Sequence, residues 1–262
     1  MLVLVFAALA DLADLALPQR CLGCGTKGPR LCETCLDPVP ARRMPRPAPD
    51  GLPACWSAAD YTGAVREAIV AYKERGQTTL AHPLATALAF TACHALASTA
   101  DHALAYRSAT PVALTGPATP VALARTATPV ALAVVPVPSS SRALRSRGHD
   151  PVGRLAALAV RQLAAFGHRA ELWPALGQAR QVGDQAGLSA TQRAANLAAS
   201  LRVTPAAKAR PAASVLLVDD IVTTGSTLAE AARTLRVDGV DVLLAVTVAA
   251  TRRRSCNPLR SH

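Results

Sequence analysis

Aromatic residues make up only 3% of this 262-residue chain. Proteins that bind single-stranded nucleic acid without sequence preference stack bases on aromatic side chains, so the scarcity argues against that class. Acidic residues are also few, 17 against 28 Lys and Arg, leaving a formal net charge of +11. That balance favours polyanionic partners, whether nucleic acid, anionic lipid or a phosphorylated metabolite, and does not choose among them. A long uninterrupted apolar run is missing from the start of the chain as well. In "MLVLVFAALADLADLAL" no basic residue precedes the apolar stretch, and Asp11 and Asp14 interrupt it short of a membrane span. It reads as an amphipathic helix in a cytoplasmic protein. No G-x-x-x-x-G-K-[ST] segment occurs, which excludes a P-loop nucleotidase.

What is present is ample core material, with 51% hydrophobic residues, enough for one large domain and a small appendage. Four of the seven cysteines fall between residues 18 and 36, and "DPVPARRMPRPAPDG" (37–51) then has the proline and arginine content of a linker. "TGAVREAIVAYKERG" and "TLAHPLATALAFTACHALAS" carry apolar residues at three- and four-residue spacing and predict two helices, the first ended by Gly76. "ATPVAL" starts at Ala109, Ala118 and Ala127, with a proline in every copy. Proline at that spacing forbids a continuous helix and the Gly/Asp pattern of nonapeptide solenoids is absent, so the repeat reads as a duplication within a loop. Its third copy runs into "VALAVVPVP", which predicts a buried strand. Helix, short strand near Leu172, polar loop, short helix near 190–199, strand 214–219, helix 226–237 and strand 241–248 follow. Strands alternating with helices imply an α/β fold with a mostly parallel sheet, in which ligands bind at the carboxyl ends of the strands.

One such end is "VLLVDDIVTTGST" (215–227). A continuous apolar run suited to a central parallel strand ends in Asp219 and Asp220, and four hydroxyl residues, Thr223, Thr224, Ser226 and Thr227, then surround Gly225. Glycine lets successive N–H groups point into one small space, Ser226 and Thr227 are natural helix caps, and the helix N-terminus adds partial positive charge. Together they predict a phosphate cradle. A phosphate would repel the neighbouring aspartates, so these face another part of the ligand, either vicinal hydroxyls or a magnesium ion. A sugar phosphate fits both halves. The plainer alternative is a strand whose acids merely cap the next helix.

Other segments add candidates. "VVPVPSSSRALRSRG" leaves a strand and enters a turn in which Ser139, Ser140, Arg142, Arg145 and Arg147 suit a pyrophosphate group, because a guanidinium fork matches phosphate oxygens. Such a run is also common on solvated surfaces. Lys73 and Arg75 of "YKERG" read equally as anion contacts or as surface charges at a helix end. Cys21-x-x-Cys24 and Cys32-x-x-Cys35 can each chelate one side of a tetrahedral ion, which predicts a structural zinc knuckle. Cys55, Cys93 and Cys256 are isolated and read as packing residues.

The 215–227 stretch resembles the signature of type I phosphoribosyltransferases, which bind 5-phosphoribosyl-1-pyrophosphate. By that resemblance Asp219 and Asp220 are the catalytic pair that holds the ribose hydroxyls, and Thr223, Thr224, Gly225, Ser226 and Thr227 hold the 5-phosphate. The paired cysteines, "YKERG", "PVP…RG", and a loop carrying Arg180, Gln185, Leu188, Arg193 and Asn196 occur in the order of the ComF family of competence-related proteins. His149 and Asp150 in "RGHDPVG" and the ATPVAL insertion depart from that family's pattern.

The resemblance implies a Rossmann-like type I phosphoribosyltransferase fold with a small N-terminal zinc module. Residues 1–50 would hold the N-terminal helix, zinc module and linker, 51–106 a helical hood, 107–129 the repeat insertion, 130–250 the phosphoribosyltransferase-like core and 251–262 a basic tail. It further implies phosphoribosyl pyrophosphate with magnesium as ligand, and a loop around Arg180, Gln185 and Arg193 as a lid. Two readings follow: an enzyme that transfers the phosphoribosyl group to an acceptor and releases pyrophosphate, or a non-catalytic sensor or scaffold. Single-stranded DNA or DNA-uptake helicase and processing proteins are the partners implied by the family's link to natural transformation.

Overall fold

The structure is a computed structural model and describes residues 19–108, 131–139, 144, 148–179, 200–208 and 214–251. The opening amphipathic segment, the ATPVAL repeat, the 190–199 helix, Cys256 and the basic tail lie outside these residues. The described chain is a mixed α/β fold around a six-stranded sheet. In chain order its elements are β1 (Ala41–Arg42), β2 (Cys55–Asp60), α1 (Gly63–Glu74), a 3-10 turn (Thr78–Leu80), α2 (Ala81–Ser108), β3 (Leu132–Pro136), α3 (Pro151–Ala165), β4 (Ala170–Leu172), β5 (Leu176–Gln178), β6 (Leu201–Val203), a second 3-10 turn (Pro205–Lys208), β7 (Ser214–Val222), α4 (Ser226–Val237) and β8 (Val242–Ala250).

The strand order is β1-β2-β8-β7-β3-β4, parallel throughout except for the antiparallel edge pair β1–β2. β5 and β6 form a separate antiparallel pair. The apolar run of β7 is explained by its place between β3 and β8 with both faces covered. On one face Leu216, Val218, Val134 and Val246 pack with Ile69 and Tyr72 of α1, Leu84 and Leu88 of α2 and Leu155 of α3. On the other, Val215, Leu217, Val135 and Ala245 meet Leu228, Ala231 and Leu235 of α4, with Trp173 and the β5–β6 pair beside them. Burying each of the larger aliphatic side chains contributes about 1.5–3 kcal/mol. The segment Thr78–Thr99 is long and apolar enough to cross a membrane, but 56% of its most apolar window is buried inside the protein, so here it serves as a core helix.

Several expectations change. The 37–51 stretch, read as a linker, supplies β1 and is tied down along its length. Arg43 pairs through Nε with Asp60 at 3.1 Å and donates to the carbonyls of Val39 and Ser57, while Arg236 of α4 donates to the Gly51 carbonyl. The 51–106 segment is not only helical, since its β2 is inserted between β1 and β8. Leu31 and Leu36 of the cysteine-rich segment belong to the main core.

Candidate functional site

β7 does not stop at Val218. It continues through both acids to Val222, because β8 runs alongside as far as Ala250. Asp219 and Asp220 therefore sit within the last four residues of the strand rather than at its exit, and consecutive strand positions face opposite sides. Asp219 follows Val215 and Leu217 toward the α4 face, whereas Asp220 follows Leu216 and Val218 toward α1.

On its side, half-buried Asp219 lines a small cleft with Val222, Thr223, Thr224, Gly225, Thr227 and Leu228. Its Oδ1 accepts the amide of Asp220 at 2.9 Å. Burial pushes the Asp219 carboxyl well above the usual carboxylate range, the Asp220 charge adds to the rise, and the Lys73 ammonium opposes it. In the same sheet row, Asp219 is paired with Thr247, which is paired with Ser57. Those two buried hydroxyls are 2.7 Å apart, and Thr247 also donates to the Ala249 carbonyl.

The loop that follows is built around Gly225, at φ 76° and ψ −1°. This left-handed geometry is costly for any residue with a Cβ. Space is lacking too, since a Cβ here would lie 2.9 Å from Pro45 Cγ and 2.9 Å from Leu52 Cδ2. The 43–52 segment thus presses on the turn from outside. Gly225 is itself the N-cap of α4 and makes no side-chain capping hydrogen bond. The expectation that Ser226 and Thr227 cap the helix is accordingly corrected: they occupy its first turn. Thr224 Oγ1 lies 3.1 Å from Ser226 Oγ and accepts the Ser226 amide weakly at 3.4 Å. Thr223 and Thr224 are exposed, and Ser226 and Thr227 half-buried. The first turn of α4 therefore opens toward the cleft without a side-chain cap of its own, an arrangement suited to an anion.

On the opposite side, Asp220 is 4% exposed and Lys73 Nζ lies 2.5 Å from its Oδ2. Of the two cations of "YKERG", only Arg75 is the surface charge that one reading expected. Lys73 reaches the acidic pair, whereas Arg75 stays on the surface with Glu67, 3.3 Å away. Tyr72, fully buried beside Lys73, donates its hydroxyl to the Pro151 carbonyl at 2.8 Å. Burial pushes its phenol up to about 12, with Arg154 opposing and Asp150 and Asp220 adding to the rise. The His149 ring stands edge-on to Tyr72 at 6.3 Å, which places His149 behind the tyrosine. Periodicity alone finds Lys73 at a helix end and cannot say which strand it meets.

Pro136 of β3 is paired with Val218, and the chain beyond it leaves the sheet beside the acids. Gln178 Nε2 fixes this exit by donating to the Pro138 carbonyl at 3.1 Å. Ser139 is half-buried there. Ser140, Arg142, Arg145 and Arg147 of the expected pyrophosphate turn lie outside the described residues, as do Arg180, Gln185, Leu188, Arg193 and Asn196 of the expected lid.

A second site is distinct from the strand ends. The sulfurs of Cys21, Cys24, Cys32 and Cys35 all lie within 4.8 Å of one another, and those of Cys24 and Cys32 are 3.7 Å apart. A tetrahedral zinc–thiolate centre has sulfur–sulfur edges of about 3.8 Å. The four closely spaced cysteines can hold a metal such as zinc. The amides of Gly23 and Cys32 each donate to the Cys21 sulfur at 3.4 Å. Burial disfavours the Cys21 thiolate, but the surrounding N–H groups outweigh it and bring the thiol down to about 6. The Cys35 thiol is pushed up to about 12, mainly by the neighbouring sulfurs of Cys21 and Cys32. Gly23 has no room for a side chain, since a Cβ would lie 2.6 Å from Cys35 Sγ. Cys55 is buried in the sheet and its thiol, pushed up to about 12 by burial, donates to Pro53. That is a packing role.

An open apolar groove of about 830 Å³ lies between the cysteine segment and α2, lined among others by Leu31, Leu36, His82, Phe90 and Phe166. None of its lining residues belongs to the strand-end cleft. No family model matches the chain, and no curated protein matches it.

Proposed function

We propose that this chain binds 5-phosphoribosyl-1-pyrophosphate at the carboxyl end of β7, in a Rossmann-like fold of the type I phosphoribosyltransferase kind, and transfers the phosphoribosyl group to an acceptor with release of pyrophosphate. The observation that carries the reading is the Gly225 turn, a left-handed glycine at an uncapped helix N-terminus whose cleft also contains a buried-edge carboxylate, Asp219. The turn and helix end suit the 5-phosphate. Asp219 supplies acceptors for ribose hydroxyls, and Asp220 supports it from the other face of the strand.

Magnesium enters this reading as the ligand's own counter-ion. Lys73 is ion-paired with Asp220, and magnesium is commonly held through substrate phosphates with only one or two protein carboxylates. When bound, the ion supplies charge neutralisation on the leaving pyrophosphate. The chain's residues position the sugar, and no covalent nucleophile is required. The Cys21, Cys24, Cys32 and Cys35 cluster takes a structural zinc ion that stands in for the core a short module lacks.

Titration calorimetry with phosphoribosyl pyrophosphate and magnesium tests the binding step. Binding by the wild type and its loss in Asp219→Asn support the reading, and pyrophosphate release with screened acceptors then tests transfer. Absence of binding by the wild type would refute it. The net charge of +11 favours in that case the non-catalytic reading, a scaffold for single-stranded DNA or for DNA-uptake proteins.

A further inference from the structure

The acidic pair poses an electrostatic problem. Two adjacent carboxylates at the edge of a core repel one another, and one of them would be protonated unless something offsets the charge. We propose that Lys73 is a positioning residue for the strand-end site: its ammonium holds the Asp220 carboxylate and offsets the charge of the acidic pair, so that Asp219 can accept ligand hydroxyls. The value of this role to the ligand rests on the reading above, whereas the electrostatic coupling can be measured without any ligand.

The geometry singles out Lys73. It lies on the last turn of α1, beside Tyr72, whose hydroxyl is pinned to the Pro151 carbonyl. That pin fixes the end of α1 against α3 and directs the next side chain toward β7. The lysine then meets Asp220 at 2.5 Å, with only 23% of its side chain exposed and 6% of the aspartate's. Low exposure on both partners reduces screening by water and salt. The ammonium holds Asp220 and its charge also reaches Asp219, whose cleft has no positive side chain among its described residues.

The charged and titratable groups facing the pair can be named element by element. α1 contributes Lys73 and Tyr72. Behind Tyr72, the turn into α3 contributes His149 and Asp150, and α3 contributes Arg154. From β8 and the Gly225 turn, the described residues facing Asp219 offer hydroxyls and backbone groups only. Among the described residues, Lys73 is thus the cation in direct contact with the pair.

The sign follows from this arrangement. Burial and the Asp220 charge raise the Asp219 proton affinity, and Lys73 lowers it. Removing the ammonium favours the protonated carboxyl, so the pair should hold its proton to higher pH. A protonated Asp219 is a poorer acceptor for hydroxyl donors, and ligand binding in the variant should therefore weaken at low pH and recover as pH rises.

Two readouts test the proposal. The first follows the side-chain carboxyl resonances of Asp219 and Asp220 by carbon-detected NMR in the ligand-free full chain. Lys73→Met should move the pair's titration upward by about one pH unit or more, Lys73→Arg should leave it near the wild type, and Asp220→Asn should lower the Asp219 midpoint by removing the like charge. An unchanged titration in Lys73→Met overturns the proposal. Should that variant fail to fold, Lys73→Gln is measured in its place, and an unchanged titration there overturns the proposal equally. The second readout is the affinity for phosphoribosyl pyrophosphate with magnesium across pH. Lys73→Met is expected to bind about tenfold more weakly than the wild type at low pH and to converge on it at high pH. A loss of the same size at every pH would make Lys73 a direct ligand contact and overturn its positioning role. If the wild type does not bind this ligand, the proposed function falls, and the NMR titration still decides the coupling.

Discussion

Replacing Gly225 with alanine should damage the site through two separable effects. An L-residue held at φ 76° costs roughly 1–2 kcal/mol from backbone sterics. The new methyl would also lie 2.9 Å from both Pro45 Cγ and Leu52 Cδ2. Overpacking of that kind costs roughly 1–3 kcal/mol. The Leu52 tip can swing away, but the Pro45 ring cannot, so the steric part should persist. Gly167→Ala is the internal control: that glycine ends α3 at φ 84° and has nothing within 4 Å of its would-be Cβ. Its substitution carries the conformational cost alone. Urea denaturation of both variants should show a total loss of roughly 2–5 kcal/mol for Gly225→Ala and roughly 1–2 kcal/mol for Gly167→Ala. Equal losses would mean that the 43–52 segment yields freely, and would refute the claim that it presses on the Gly225 turn. The same variant should also lose affinity for phosphoribosyl pyrophosphate, because any relief of the clash displaces amides of the α4 N-terminus.

Other changes probe the remaining joints. Cys21→Ser should abolish stoichiometric zinc binding, measured by elemental analysis of protein expressed with zinc, and lower thermal stability; unchanged metal content would sink the zinc assignment. Arg43→Ala removes the contacts to Asp60, Ser57 and Val39 and should cost about 1–3 kcal/mol. Limited proteolysis should then cut within residues 37–51 in the variant and spare the wild type, whereas equal cleavage would return that stretch to the status of a linker. Tyr72→Phe deprives the Pro151 carbonyl of its donor. It should destabilise the protein by about 1–3 kcal/mol in denaturant titrations, and a loss of zinc in this variant would contradict the separation of the two sites.

What was legible in the sequence follows the range of the interactions involved. The helices α1, α3 and α4 repeat their apolar positions every three or four residues, and β7 announces itself as an apolar run. The cysteine pairs were legible because each chelating half is local. β1 and β2 were not, since both are short, β1 lies within the proline-rich stretch and pairs with β2, and β2 exists through pairing with β8 at the far end of the chain. The end of β7 was misplaced for the same reason: Ile221 and Val222 remain in the strand because Ala249 and Ala250 are there to pair with them. At α4, the pattern of hydroxyl residues pointed to Ser226 and Thr227 as caps, but the left-handed glycine before them occupies that position.

The site itself shows why an acid can be read from sequence more easily than its environment. Asp219 lies in a row with Thr247 and Ser57 across three neighbouring strands, on the face covered by α4. Nothing local marks those two hydroxyls, and in another register they would be ordinary polar residues. Here they are fully buried and satisfy one another at 2.7 Å, while Thr247 also finds the Ala249 carbonyl. Their hydrogen-bonding capacity is thus largely committed within the sheet, and among the described residues the donor to Asp219 is the Asp220 amide. A carboxylate with spare acceptor capacity, at the rim of a cleft rather than inside a closed core, favours a ligand that brings its own donors. Lys73 on the opposite face makes that state tenable by countering the second charge. The functional reading therefore depends less on the presence of two aspartates than on the strand register that turns one toward a lysine and the other toward the phosphate-like turn.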